Sequence, residues 1–328
     1  MRKYIAKRVF WAVITLFLVM FLIYVLMNAL PTSYIERVAR ERSAADPTVS
    51  AAEWVAKLEE IYALDDNLLV GYVKWLGQFF RGNFGDSWLW GVPVTQKFQE
   101  VVWYSVALSA VSGVLQVVIA IPLGITAARK QYSPTDYAIT FFALIGISLP
   151  TFFFATVLQY VFSIKLGWFE LFGMVSRNHY NLSSFGRFLD LSWHFVLPVL
   201  TLTIISVGSL MRYTRTNMLE VLSSDYIRTA RAKGVSEKRV VNHHAFRNTL
   251  IPLVTIFSQT LAGFFSGAMI TETLFQISGI GYVSYQSMIA GDIPFTMFYL
   301  AFMSILTLLG NLLGDIMYAV VDPRVRVS

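Results

Sequence analysis

The chain has 328 residues, 56% of them hydrophobic and only 14% charged, with no cysteine. Soluble domains carry about a quarter charged residues, so the composition points to a membrane class, and the missing cysteine removes disulfides, thiolate metal sites and cysteine nucleophiles. The formal net charge of +6 would suit nucleic acid, but in a membrane protein it reflects lysine and arginine gathered on the cytoplasmic side, and no nucleic-acid partner is expected.

The N-terminus, Met1-Arg2-Lys3-Tyr4-Ile5-Ala6-Lys7-Arg8, is basic. The apolar run that follows, residues 9–30, is longer than a signal-peptide core and no small-x-small cleavage pattern follows it. It reads as an uncleaved first span. Five further windows qualify: residues 101–128, 137–164, 195–211, 250–271 and 295–314. None contains Asp, Glu, Lys or Arg, and each suits a hydrocarbon layer of about 30 Å, the fourth by extension to Tyr213. With the N-terminus inside, lysine and arginine concentrate in the inner segments and most acids in the outer ones, which supports an N-in, C-in arrangement of six spans. The expected fold is an all-α polytopic protein of the plasma (inner) membrane of a prokaryote. It divides into residues 1–30 (inner N-terminus and first span), 31–100 (a small helical extracytoplasmic segment) and 101–328 (a five-span core with an inner loop at 212–248).

Within 31–100, Ser50-Ala51-Ala52-Glu53 is a capping box. It opens a helix with Trp54, Leu58, Ile61 and Tyr62 on one face. A second stripe follows at Leu69, Tyr72, Val73, Leu76 and Phe80. Trp75, Trp88 and Trp90 suit the headgroup level of a bilayer. The segment reads as a helical cap on the membrane, either touching an outer partner or closing over span ends. Prolines stand at 122, 150, 198, 252 and 294. Pro122 and Pro150 mark either helices kinked around a pathway or ordinary packing. Gly263-x-x-x-Gly267 permits close helix approach.

Catalytic signals are absent. There is no Gly-Lys dipeptide and so no G-x-x-x-x-G-K-[ST] phosphate loop. His179, His194, His243 and His244 lack the i, i+4 spacing of a helical metal pair, and no metal or catalytic residue is assigned. Gly291-Asp292 and Gly314-Asp315 lie near span ends, unsuited to a pair of converging intramembrane carboxylates. Ion-coupled carriers keep ionisable residues within their spans; here the spans offer neutral groups. Gln116, Gln159 and Gln259 are the candidates to line a pathway, with interhelical hydrogen bonding as the alternative. Energy for uphill transport would then enter from outside the membrane.

The inner loop 212–248 contains the strongest local pattern. Ser224 or Asp225 caps a helix start, and Gly234 supplies a left-handed stop. Ser236 caps a second helix that runs towards Pro252. Thr229, Ala230 and Ala232 permit close approach of a soluble partner, and Arg228, Arg231 and Lys233 surround that contact; anionic lipid is the other reading of the charge. Together with Asp225, Tyr226 and Gly234 these residues form the candidate docking site.

The segment Asp225-Tyr226-Ile227-Arg228-Thr229-Ala230-Arg231-Ala232-Lys233-Gly234, then His244-Ala245-Phe246-Arg247-Asn248 and Leu250-Ile251-Pro252, resembles the EAA loop of ABC-importer permeases of the oligopeptide/dipeptide branch. The resemblance continues at Thr271-Glu272-Thr273-Leu274-Phe275, Gly279-Ile280-Gly281-Tyr282, Asp292-Ile293-Pro294, Asn311-Leu312-Leu313-Gly314-Asp315 and Val321-Asp322-Pro323-Arg324-Val325-Arg326. Gly82-Asn83-Phe84-Gly85-Asp86-Ser87 is similar to the branch's G-D-x-G-x-S. Thr32-Ser33-Tyr34 departs from the Gly-Asp-Pro that often follows Pro31. The resemblance implies a second homologous permease, two ATP-binding subunits that hold ATP and Mg, an outer solute-binding protein and a lipid environment, with no cofactor on this chain. It implies peptide import, or nickel, glutathione or oligosaccharide import. A stand-alone channel or carrier and an intramembrane hydrolase are the rival classes, and neither needs the 225–252 segment.

Overall fold

The computed structural model describes residues 2–29, 36, 39–41, 43–44, 48–62, 67–250, 253 and 263–321. Among them the chain is helical, with no strand beyond one isolated bridge, Asp86–Pro93. The helices are α1 (Arg2–Asn28), α2 (Ala51–Tyr62), α3 (Leu68–Phe80), α4 (Val94–Arg129), α5 (Pro134–Ser148), α6 (Thr151–Leu158), α7 (Ser184–Leu222), α8 (Asp225–Ala232), α9 (Glu237–Arg239), α10 (Met269–Phe275), α11 (Ile280–Ala290) and α12 (Ile293–Val321). Wider π turns extend α6 through Gln159–Lys165 and α9 through Val240–Ala245.

Among the described residues, four stretches are long and apolar enough to cross a membrane: Ile5–Leu26, Val94–Arg129, Ser184–Leu222 and Ile293–Met317. A fifth crossing exists if α5 and α6 count as one. The window 137–164 is not one straight helix, because the chain bends by 104° between them. The cause is local. Proline disfavours helical geometry in the residue before it, and Leu149 and Pro150 are both extended, with ψ of 132° and 141°. Pro122 and Pro198, in contrast, lie inside unbroken helices. The predicted span 250–271 falls mostly outside the described residues. Its end differs from expectation: Gly267 is left-handed at φ 78° after a turn at 264–266. Gly263 and Gly267 therefore do not form one helical face.

The chain divides into two compact units. One contains Trp103–Tyr282 and Leu313–Ser328. In it α5 lies tightly along α7. A Cβ on Gly208 would sit 2.5 Å from the Ala143 carbonyl oxygen, so only glycine allows that approach. An ion pair closes the same contact: Arg215 donates through Nε and Nη2 to the two carboxylate oxygens of Asp136, both at 2.7 Å. Asp136 also accepts from the Tyr132 amide at 3.0 Å. The Asp136 side chain is almost fully buried and Arg215 is largely so. Removing one member strands the other, at about 3–5 kcal/mol, whereas replacing both by apolar residues is often neutral. Asp136→Leu is thus expected to lower the unfolding midpoint in mild detergent, and Asp136→Leu with Arg215→Leu to restore much of it. Equal loss in the single and double variants would contradict this account.

The other unit contains Arg2–Val102 and Val283–Leu312. Its core joins Met20, Ile23 and Tyr24 of α1, Trp75 of α3, and Ile293, Met297 and Ala301 of α12. Trp75 is therefore a core residue and not an interfacial anchor. The expected stripe on α3 is rotated accordingly: Tyr72, Leu76 and Phe79 join Trp75 at the core, while Leu69, Val73 and Phe80 stay exposed. The capping box forms as expected, with Glu53 accepting from the Ser50 amide at 2.9 Å and Ser50 Oγ accepting from the Glu53 amide at 3.3 Å. The side chains of Leu58, Ile61 and Tyr62 lie outside the described residues.

Candidate functional site

The segment between α7 and the run beginning at α9 is built around one buried side chain. Ile227 is fully buried among Met218, Val240, Val241, Ala245 and Ala128. The rest of α8 follows from helical geometry. Asp225, Tyr226, Arg228, Thr229, Arg231 and Ala232 are exposed, as are Lys233 and Gly234 just beyond. Ala230 turns partly inward and packs with Val235 on the same cluster. So two of the three expected small residues, Thr229 and Ala232, lie on the open surface.

Gly234 ends α8 as expected. Its φ is +76°, its amide donates to the Arg231 carbonyl at 2.9 Å, and the Val235 amide donates to the Ala230 carbonyl at 3.2 Å. These are the paired bonds of a Schellman stop, and Ala230 with Val235 supplies its apolar contact. Ser224 occupies the N-cap position, but its side chain caps nothing; its hydroxyl donates back to the Val221 carbonyl at 2.6 Å.

Two polar ties hold α8 to the next helical run. Asn248 Nδ2 donates to the Tyr226 hydroxyl at 3.0 Å. Arg231 donates to both Glu237 oxygens, at 2.8 and 3.1 Å, and this bidentate bond holds the Glu237 carboxyl below its ordinary pKa. Both side chains are about half exposed, so the pair adds at most about 1 kcal/mol. Its contribution is direction: it fixes α9 against the end of α8. The product is a short basic helix with an open outer face, set rigidly on the ends of α4 and α7.

A second constellation was not assigned a role from sequence. Glu272 on α10 is fully buried. Its carboxylate accepts from Ser105 Oγ at 2.7 Å, the Ala268 amide at 2.9 Å and the Tyr282 amide at 3.0 Å. Ser105 Oγ in turn accepts from the Ile280 amide at 2.8 Å. A Cβ on Gly279 would collide with both Ser105 Oγ and the Glu272 carboxylate. The Thr271–Phe275 and Gly279–Tyr282 motifs are thus two halves of one clamp. A similar clamp joins two other motifs. Asp292 accepts from the Ser87 hydroxyl, from the Trp88 amide at 3.0 Å and from the Phe295 amide at 3.3 Å.

The sequence pattern of the family described as "Binding-protein-dependent transport system inner membrane component" matches residues 120–327. The chain belongs to that family. As a member it is a multi-pass inner-membrane component. It is similar to the oligopeptide transport system permease protein AppB of Bacillus subtilis, with 37% identity over 99% of this chain and 100% of the relative. It is also similar to the probable peptide ABC transporter permease protein y4tP of Sinorhizobium fredii, with 35% identity over 86% of this chain and 88% of the relative. Among solved structures, the MetNI methionine ABC transporter in an inward-facing conformation aligns with a TM-score of 0.54. That alignment has 18% identity and covers 70% of this chain and 97% of that chain; at this identity it speaks for the fold.

The polar candidates within the helices of this family member are tied to backbone. Gln116 Nε2 donates to the Ser206 carbonyl at 3.0 Å. Gln159, nearly buried, donates to the Leu171 and Leu274 carbonyls at 2.9 and 3.1 Å. Gln259 lies outside the described residues, as do Pro252 and the 322–326 motif. Asp190 lies between His179 Nδ1 at 2.6 Å and His194 Nδ1 at 3.8 Å. Among the described residues, no group of three or more His, Cys, Asp or Glu is placed to hold a metal ion.

Proposed function

We propose that this chain is the transmembrane subunit of an ATP-driven ABC importer for peptides, with α8 as the helix that docks on an ATPase. Peptide cargo is supported by the relatives' names, AppB and y4tP. The docking role is supported by one observation above the others: α8 presents Arg228, Thr229, Arg231, Ala232 and Lys233 outward while Ile227 and the Gly234 stop fix it to a platform built from α4 and α7. A helix held in this way transmits a push to both of them. In this reading a second homologous permease completes the pathway, two ATP-binding subunits hold ATP and Mg below it, and an outer solute-binding protein delivers cargo. The chain itself performs no catalysis and holds no cofactor. Both termini lie in the cytoplasm. Gln116 and Gln159 reach the pathway only when the bundle rearranges and their backbone ties are exchanged, and Gln259 is the third candidate to line it.

The test exploits the geometry at Gly234. A Cβ there would meet no atom of this chain within 4 Å, so within this chain the strain of substitution is one of backbone conformation. A left-handed conformation costs an ordinary residue roughly 1–2 kcal/mol and a β-branched one more, while asparagine tolerates it. Gly234→Val is expected to keep membrane insertion and ATPase association but to lose most ATP-dependent peptide uptake in proteoliposomes. Gly234→Asn should stay near the parent. Parental uptake by the valine variant would remove α8 as the lever, and an absence of any co-purifying ATPase in mild detergent would remove the importer reading.

A further inference from the structure

Helix α3 has an apolar surface on all sides, and only half of it is covered. Trp75 and Gly71 are buried, with Tyr72 and Phe79 beside them. On the opposite arc Leu69, Val70, Val73 and Phe80 are exposed, each by about half or more. Gly77 lies between them in helical register, and Lys74 stands at the arc's edge. Such a helix belongs in a protein core or in a membrane.

Its depth follows from the partners of its covered face. The Tyr72 hydroxyl donates to the Phe17 carbonyl of α1 at 2.7 Å. The Tyr72 ring meets Phe21, with centroids 5.1 Å apart, and the Phe80 ring meets Phe17 at 6.3 Å. Phe17 lies well inside the apolar stretch Ile5–Leu26. At 1.5 Å per residue it sits about 13 Å below the stretch's C-terminal end, near the middle of a bilayer. Phe17, Leu18 and Leu22 of α1 are themselves exposed. The uncovered arc of α3 therefore continues the lipid-facing surface of α1 through the Phe17–Phe80 contact.

We propose that α3 is embedded in the membrane rather than lying on it, and that Leu69, Val70, Val73 and Phe80 contact phospholipid acyl chains of the leaflet where α1 ends. Lys74 at the edge of the arc then reaches towards the headgroups, as long basic side chains do near an interface. The inference rests on the membrane location of α1 and is independent of the importer reading.

The chain has no cysteine, so single labels can be placed without removing any native residue. The assembled transporter, in vesicles of phosphatidylethanolamine and phosphatidylglycerol, would carry a spin label at Leu69→Cys, Val73→Cys or Phe80→Cys, with exposed Asp86→Cys as the aqueous reference. The three α3 sites are expected to collide strongly with oxygen and several-fold less with a water-soluble nickel chelate than the reference does. Strong nickel collision at Val73 would place the face in water. Weak collision with both reagents would place it against a protein, and either result overturns the proposal. The unmodified chain provides a check free of substitutions. A phospholipid with a photoactivatable acyl chain should leave adducts on the peptide spanning Leu68–Phe80, and adducts on α1 without any on α3 would likewise overturn it.

Discussion

Glu272→Ala is expected to be among the most destabilising single substitutions in this chain. The change strips the acceptor from Ser105 Oγ and from the Ala268 and Tyr282 amides. Each buried donor left unpaired costs about 1–3 kcal/mol. Glu272→Gln should fail as well. Its amide oxygen can serve one side of the clamp, but its NH2 group then faces a donor on the other side. Gly279→Ala attacks the same clamp from the opposite direction, by driving a methyl group into Ser105 Oγ and the carboxylate. Because all three changes break one unit, a Glu272→Ala and Gly279→Ala double variant should lose much less than the sum of the single losses. Thermal unfolding in mild detergent, followed by size-exclusion chromatography, reads all four. Full additivity would mean that the two motifs do not act as one clamp.

The second large effect is expected at Ile227. Its side chain is fully buried and is the only fully buried one on α8. Truncation of such an isoleucine costs about 2–5 kcal/mol. Here the loss falls on one short helix and not on the whole fold. Ile227→Ala should therefore leave the bundle assembled while α8 loosens from α4 and α7. Hydrogen exchange over residues 225–235 should rise, and peptide uptake should fall with ATP hydrolysis persisting. Arg228→Ala, on the exposed face, supplies the contrast: weaker association with the ATPase and unchanged exchange in the isolated chain. If Ile227→Ala leaves exchange over 225–235 at the parental rate, the buried side chain does not anchor the helix.

These two sites differ in how much of them the sequence displays. The α8 segment was legible almost in full. Its start, its small and basic residues and its glycine stop are local signals, and Gly234 adopts the expected left-handed geometry. What stayed hidden was which residues face inward, since Ala230 turns to the platform and Ile227 carries the anchor only because Val240, Val241 and Ala245 return to meet them. The Glu272 clamp was legible only as two motifs without a role. Ser105 and Glu272 stand 167 positions apart, and no periodicity or spacing relates them. The clamp had one available signal, a lone acidic residue beside an apolar run and followed by a Gly-x-Gly. The same division applies to α3. Its apolar stripes were visible, but both faces are apolar, so the pattern alone could not choose the buried one.

Composition and short-range pattern thus determined, unaided, that this is a helical membrane protein, where its main apolar runs lie and where α8 stops; that the chain breaks at Pro150, while Pro122 and Pro198 stay inside unbroken helices, came from the structure. The outcomes determined unaided depend on residues within a turn or two of each other, through hydrophobic length and glycine's access to positive φ. Only the tertiary structure decided that Trp75 is core, that Gln116 and Gln159 are tied to carbonyls, and that Glu272 and Asp292 each join two distant motifs. Those outcomes depend on which buried donors must find acceptors once the helices meet, and that demand is set by three-dimensional neighbours rather than by chain neighbours.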